Sequence, residues 1–274
     1  LMSGTPMTGD YIKSEGQAGR MGARLMAIVA EGERGRVYLA PSQEHEVVAR
    51  QAKPRWKPET QIAPDPRALW TPPYGLTTYG DLFTPRQLVA LNTFSDLVGE
   101  AMERVKGDAI AAGLPDDGKP LRDGGTGAQA YAEAVGVYLA LTIDRQANRA
   151  CTLSFWDNTS QKIQQAFGRQ ALPMTWDFCE SNPFSESSGN WIGQLDFPAK
   201  FLVTSYGSYD GRGLYQDAQQ QSVSVDKVVS TDPPYYDNIG YADLSDFFYV
   251  WLRRSLRGIF PDLFATLAVP KAEE

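Results

Sequence analysis

Between Asp226 and Arg257 the chain changes its hydrophobic period once, and that change asks for a strand, a stop and a helix. Residues Lys227 to Thr231 are a short β-branched run, which predicts a buried strand. Pro233 and Pro234 follow, and proline cannot donate to a sheet ladder, so the strand is expected to stop at Asp232. Further on, Tyr241, Leu244, Phe248, Trp251, Leu252 and Leu256 recur at helical spacing, with Asp243 in the N-cap position and Asp246 three residues later. The expected unit is strand, loop and helix, with an acid at the strand's carboxyl end, where open α/β sheets receive their ligands.

The residue types in that loop suit one chemistry. An exocyclic amino group on a base is a poor nucleophile because its lone pair is conjugated with the ring. A carboxylate and a backbone carbonyl, both acceptors, can take its two N–H bonds and aim the lone pair at an electrophilic methyl group. The prolines stiffen the loop so that the Pro233 carbonyl points outward, and an aromatic ring beyond them can stack on an extruded base. The π face of that ring also favours the positive charge that develops on the amine.

Asp232-Pro233-Pro234-Tyr235 resembles the catalytic motif of amino-group DNA methyltransferases, which use S-adenosylmethionine and most often methylate adenine N6. The longer string from Ser230 to Arg254 resembles a narrower group, the large adenine-specific DNA methylases with a zinc-ribbon insert and an N-terminal domain of unknown function. Asp10 to Gly22, Tyr79 to Leu88 and Gln170 to Phe178 resemble the same group, so the likeness covers nearly the whole chain. It implies catalytic roles for Asp232, Pro233, Pro234 and Tyr235, with Tyr236, Asn238 and Tyr241 toward the substrate. It also implies S-adenosylmethionine as cofactor, DNA as partner, and a Rossmann-like methyltransferase fold of which this chain is a part. Cytosine N4 and RNA amino groups are further substrates for the motif, and Asp in its first position leans to adenine.

By average residue frequencies the tetrapeptide arises by chance in roughly one chain in a thousand of this length. Thr71-Pro72-Pro73-Tyr74 is an internal control: it has the prolines and the ring but neither the acid nor a preceding apolar run, so it reads as an ordinary extended loop.

With 274 residues and 42% hydrophobic composition the chain is globular and long enough for one large domain or two small ones. A net charge of −7 excludes a protein that coats nucleic acid by bulk attraction. Residues 1–60 carry nine Lys or Arg against seven Asp or Glu, so the first stretch is +2 and the remainder −9. Any DNA contact is therefore local, or made by a further part of the polypeptide. Two cysteines, Cys151 and Cys179, and one histidine, His45, exclude a disulfide framework and are too few for a zinc site. No apolar run is long enough to span a membrane and no signal peptide is visible, so the default location is cytoplasmic.

The rest reads as a mixed α/β, helix-rich chain with a small N-terminal β-hairpin region. Residues 1–80 form a hairpin-containing leader and Pro-rich connector, 81–206 a helical region, and 207–274 the portion with the methyltransferase motif. Residues 1–22 have no clear period and read as irregular. Residues 26–30 and 36–39 read as a hairpin joined through 31–35, followed by a short helix at about 43–51 that carries His45 in a solvated position. Residues 53–80 hold many prolines and no period, so they form a connector that neighbours must pin.

Helix-start signals agree at Phe83-Thr84-Pro85-Arg86-Gln87-Leu88: Thr84 as N-cap, Pro85 at N1, Gln87 closing a capping box, Phe83 and Leu88 as a staple. The helix is expected to run to about Lys106 with Leu88, Leu91, Phe94, Val98, Met102 and Val105 inward. Thr84-Pro85 also resembles a pair that holds the methionine part of the cofactor in some amino methyltransferases. The glycines at 124–127 invite a phosphate-cradle reading, but no apolar strand precedes them, and a flexible connector is expected. Ala128 to Asn148 is a strong helix pattern with Tyr131, Val135, Tyr138, Leu139 and Leu141 on its apolar side; Asn158 to Phe167 predicts a shorter helix. Phe155, Trp156, Trp176 and Phe178 are expected in the core rather than free for base stacking. Residues 191–206 predict a last helix, entered or broken at Pro198.

No Gly-rich strand and turn of the kind that holds S-adenosylmethionine occurs in the chain. Only fourteen residues follow Phe260, too few for the closing strands of a seven-stranded sheet. The expectation is an internal or truncated portion of a longer enzyme, or a non-catalytic module that contributes DNA or partner contacts.

Overall fold

The computed structural model describes residues 6–205, 213, 216, 217, 219–233 and 239–271. Its elements, in order, are α1 (Gly9–Gln17), the strands β1 (Ile28–Gly32) and β2 (Gly35–Leu39), α2 (Gln43–Ala49), α3 (Pro85–Ala111), α4 (Ala128–Ala147), the strands β3 (Phe155–Asp157) and β4 (Lys162–Gln164), α5 (Trp191–Thr204) and α6 (Tyr241–Leu256). The architecture is mixed α/β and helix-rich, with two small antiparallel sheets among the described residues. No helix among them is long and apolar enough to cross a membrane.

The centre is α4 packed against α3 and α6. The start of α3 is built as expected: Thr84 Oγ1 accepts from Gln87 N (3.3 Å), and Gln87 Oε1 accepts from Thr84 N (2.8 Å). Leu88, Leu91, Phe94 and Val98 are buried, Met102 and Val105 are half-buried, and the helix continues to Ala111. The apolar side expected for α4 is buried only in part: Val135, Tyr138 and Leu139 are half-buried, with Leu139 packed on the core. Tyr131 and Leu141 are exposed, whereas Ala132, Gly136, Ala140, Ile143 and Ala147 face the core. The small stripe leaves room for side chains from the neighbouring elements: a Cβ on Gly136 would lie 2.5 Å from Met102 Sδ.

The connector between α2 and α3 is pinned as anticipated. Ile62, Leu69, Tyr79 and Leu82 are buried, and Trp56 meets Trp251 edge to face at 5.4 Å. Within it, Pro72–Tyr74 is a 3₁₀ turn rather than the extended loop expected there, and it receives α1, which replaces the irregular leader. Thr8 caps α1 by accepting from Tyr11 N. A Cβ on Gly16 would lie 2.3 Å from Tyr74 O, and one on Gly75, at φ +85°, would lie 2.2 Å from Gly16 O. Two glycines thus allow backbone to touch backbone. Alanine in mid-helix is ordinarily about 1 kcal/mol better than glycine, yet Gly16→Ala is expected to free α1, raising hydrogen exchange of its amides at least tenfold. Unchanged exchange would refute the contact.

Two further expectations fail for physical reasons. Residues 158–164 form the turn and second strand of the β3–β4 hairpin, and 165–167 are irregular, so there is no helix here. The Asp157 carboxylate accepts from Thr159 N, Ser160 N, Ser160 Oγ and Gln164 Nε2, and four such bonds hold a turn that helix propensity cannot match. These same bonds hold the Asp157 carboxyl well below the usual carboxylate range, those from Ser160 and Gln164 foremost. Nearby, Phe155 and Trp176 are exposed and Trp156 and Phe178 are half-buried, contrary to the expectation of core burial. Lys227 to Thr231 is not a buried strand: Val228 is 101% exposed and Val229 59%. A strand needs a neighbour for its ladder, and no described strand lies beside this run.

Candidate functional site

The candidate site is the stretch after Thr231 together with the helix that follows it. Asp232 and Pro233 are exposed, and no described residue bonds the Asp232 carboxylate. Pro234, Tyr235, Tyr236 and Asn238 lie outside the described residues. Tyr241 opens α6 and is 47% exposed.

The helix is held firmly from below. Phe247 and Trp251 are fully buried, with Phe83 stacked on Phe247 at 5.7 Å and edge-on to Trp251 at 5.4 Å. The first turn differs from the expected cap. Gly240 is the N-cap, Leu244 N donates to Gly240 O (3.1 Å), and Asp243 lies inside the first turn. The helix starts earlier because its two acids are engaged elsewhere. Asp246, 1% exposed, accepts from Val269 N (2.7 Å) and Lys271 Nζ (2.6 Å), and Lys271 also pairs with Asp243 at 2.8 Å. Burial alone would pull Lys271 down, but its bonds to Asp243 and Asp246 outweigh that and hold it above the ordinary lysine value. Tyr79 adds a tie from the connector, donating to Asp243 O at 2.8 Å. Burial pushes the Tyr79 hydroxyl well above the ordinary tyrosine value, and the charges of Asp246 and Asp243 add to that.

Beside the exposed end of α6 a groove of about 460 Å³ runs between Phe167, Arg169, Tyr241, Leu244 and Phe248. Its floor is aromatic: the rings of Phe167 and Phe248 lie 5.0 Å apart. Arg169 lies 4.6 Å over the Trp70 ring at the same edge. Phe167, Arg169 and the Asp243–Asp246–Lys271 clamp were not legible as a site in the sequence, because their partners are far apart in the chain. Of the arginines on α6 and just after it, Arg254 pairs with Asp96 (2.6 Å) above Trp56, and Arg253 Nε donates to Thr266 O (2.7 Å). Arg257 is exposed.

The other candidates are built into the scaffold. Thr84, 8% exposed, spends its hydroxyl on the α3 cap, and Pro85 is the exposed first residue of that helix. Thr84→Ala is expected to cost about 1 kcal/mol, the usual worth of an N-cap, read as a shifted urea midpoint with unchanged slope. A loss below a few tenths would show that the cap is not used. Gly125 and Gly127 pack on Lys119 O and Pro115 O, where an added Cβ would come within 2.1 and 2.5 Å. His45 closes a capping box with Ser42, whose N donates to its Nδ1 at 3.1 Å. Cys151 and Cys179 are free, and burial pushes the Cys179 thiol up to about 12.

A cradle for S-adenosylmethionine asks for a strand followed by a glycine turn with open backbone N–H groups. The described residues do not fit that requirement: Thr84 is engaged in its cap and the glycines at 125 and 127 are packed against chain. Compared with protein-family models, with curated proteins and with solved structures, the chain matches none.

Proposed function

We propose that this chain is the target-base side of a DNA amino-methyltransferase, most simply one acting on adenine N6, within a longer polypeptide of Rossmann-like fold that holds S-adenosylmethionine elsewhere. The observation that carries the reading is Asp232-Pro233-Pro234-Tyr235 standing five residues before a helix whose far side is locked into the core through Phe247 and Trp251. A rigid helix behind a polar loop is what a catalytic carboxylate needs, since misplacement by about 1 Å costs roughly a hundredfold in rate. Asp232 and the Pro233 carbonyl accept the two N–H bonds of the amine, and Tyr235 stacks on the base. Tyr241, at the mouth of the aromatic groove, lies toward the substrate with Tyr236 and Asn238.

A second reading is a module that binds DNA or a protein partner without transferring a methyl group, and the engaged Thr84 and packed glycines favour it for this chain taken alone. The two readings separate on one measurement. Tritiated S-adenosylmethionine and unmethylated duplex DNA are incubated with the full reading frame that contains this chain, and the nucleosides are resolved after digestion. Labelled N6-methyladenine supports the first reading; label on cytosine N4 moves the substrate; no label sinks methyl transfer.

A further inference from the structure

The chain is acidic overall, yet three cations stand close together between the end of α4 and the β3–β4 hairpin, and the nearby Asp157, opposite Lys162 in the hairpin register, has its carboxylate engaged by Thr159, Ser160 and Gln164. Arg145 and Arg149 stand about one turn apart at the end of α4, and Lys162 begins β4. No described acid forms an ion pair with any of the three. Burial depresses both guanidinium groups, and the charge of Arg149 depresses Arg145 further. Arg145 rests 3.9 Å over the Phe197 ring with its Nε buried and without a partner among the described residues. Arg149 spends one N–H on Ile163 O at 3.0 Å.

Arg149 and Lys162 line a groove of about 250 Å³ together with Ser188, Gln194 and the first turn of α5. A water molecule takes about 30 Å³ in the liquid, so the groove admits a tetrahedral oxyanion with room to spare. Ser188 Oγ already accepts from Ile163 N at 2.9 Å, which leaves its own O–H to donate. Gln194 is 5% exposed, and its amide finds no partner among the described residues, with Oε1 fully buried. Turning that amide about its last bond presents N–H donors in place of the oxygen. The amino end of the 14-residue α5 adds its dipole.

We propose that this groove binds a phosphate-type oxyanion, with Arg149 and Lys162 supplying charge and the Gln194 amide and Ser188 hydroxyl supplying donors. The source is either a phosphodiester of a nucleic-acid backbone or a free phosphate group. None of these residues belongs to the 232–241 loop, so the site stands or falls separately from methyl transfer.

The test uses Lys162→Gln, Arg149→Gln and the double variant, with Arg104→Gln as a charge-matched control on the exposed side of α3. Inorganic phosphate is titrated while the amide resonances of Lys162, Ser188 and Gln194 are followed. A 12-base-pair duplex is titrated by fluorescence anisotropy between 50 and 200 mM salt. Saturable shifts with phosphate that weaken at least tenfold in the double variant, but not in the control, establish the site. A phosphodiester source is established when, in addition, the salt slope for duplex binding falls by about one for each charge removed; an unchanged slope with phosphate binding intact identifies free phosphate. Because Lys162 is exposed, Lys162→Gln decides the matter if Arg149→Gln fails to fold. If neither probe moves these resonances, or if Lys162→Gln matches the unmodified protein in both titrations, the proposal is overturned.

Discussion

Trp251→Ala is expected to lower the unfolding free energy by about 3–5 kcal/mol, the range for deleting a large buried aromatic. The side chain is fully buried and meets Trp56 and Phe83 edge to face, each at 5.4 Å. It therefore joins the connector, the start of α3 and α6 in one contact set, and no single neighbour can collapse into the space it leaves. The indole N–H is buried with no partner among the described residues, an unusual cost for a core tryptophan. Trp251→Phe removes that donor while keeping most of the ring, so it is expected to lose well under half of what alanine loses. Urea unfolding followed by far-UV circular dichroism measures both. Alanine costing less than 1 kcal/mol would mean that α6 is not anchored through this residue.

The same helix shows which parts of such a chain can be read without its fold. Its buried side was legible because Leu244, Trp251 and Leu256 repeat at a local period, and period survives any tertiary arrangement. The start of α3 was legible for a similar reason: Thr84, Pro85 and Gln87 interact with one another across three residues. The first hairpin pairs Gly32 with Gly35, again a local matter. Misreadings occur where a distant partner decides. The face of α4 is chosen by how closely Met102 approaches Gly136, and α1 exists as a packed helix because Gly16 meets the turn at Tyr74. The cap of α6 moved to Gly240 because Lys271, far along the chain, claims Asp243 and Asp246. Lys227 to Thr231 has strand-forming residues, but strand is a property of a pair, and the described residues offer no second member. The candidate site divides the same way. Its loop and helix were visible as a motif, whereas the aromatic groove and the clamp beneath it are assembled from residues 79, 167, 169, 243, 246 and 271.

Under the proposed function, Asp232→Ala is expected to abolish methyl transfer by the full reading frame that contains this chain and to leave its folding unchanged. The two halves of that statement rest on different observations. Folding is spared because the carboxylate is exposed and no described residue bonds it, so removing it leaves no orphaned donor and no cavity. Catalysis is lost because, under the proposed reading, this carboxylate and the Pro233 carbonyl together draw the lone pair of the amine out of conjugation. A single preorganised hydrogen-bonding group of this kind is worth roughly a hundred- to a thousandfold in rate. Asp232→Asn sharpens the test. The amide oxygen can still accept the one N–H that the carboxylate takes but without its charge, so asparagine is expected to lose less than alanine. The measurements are single-turnover rates with labelled S-adenosylmethionine, set beside thermal unfolding midpoints of the same preparations. Activity of the alanine variant within tenfold of the unmodified enzyme would remove Asp232 from the reaction. A matching loss in unfolding midpoint would instead make it a structural residue, which its exposure argues against.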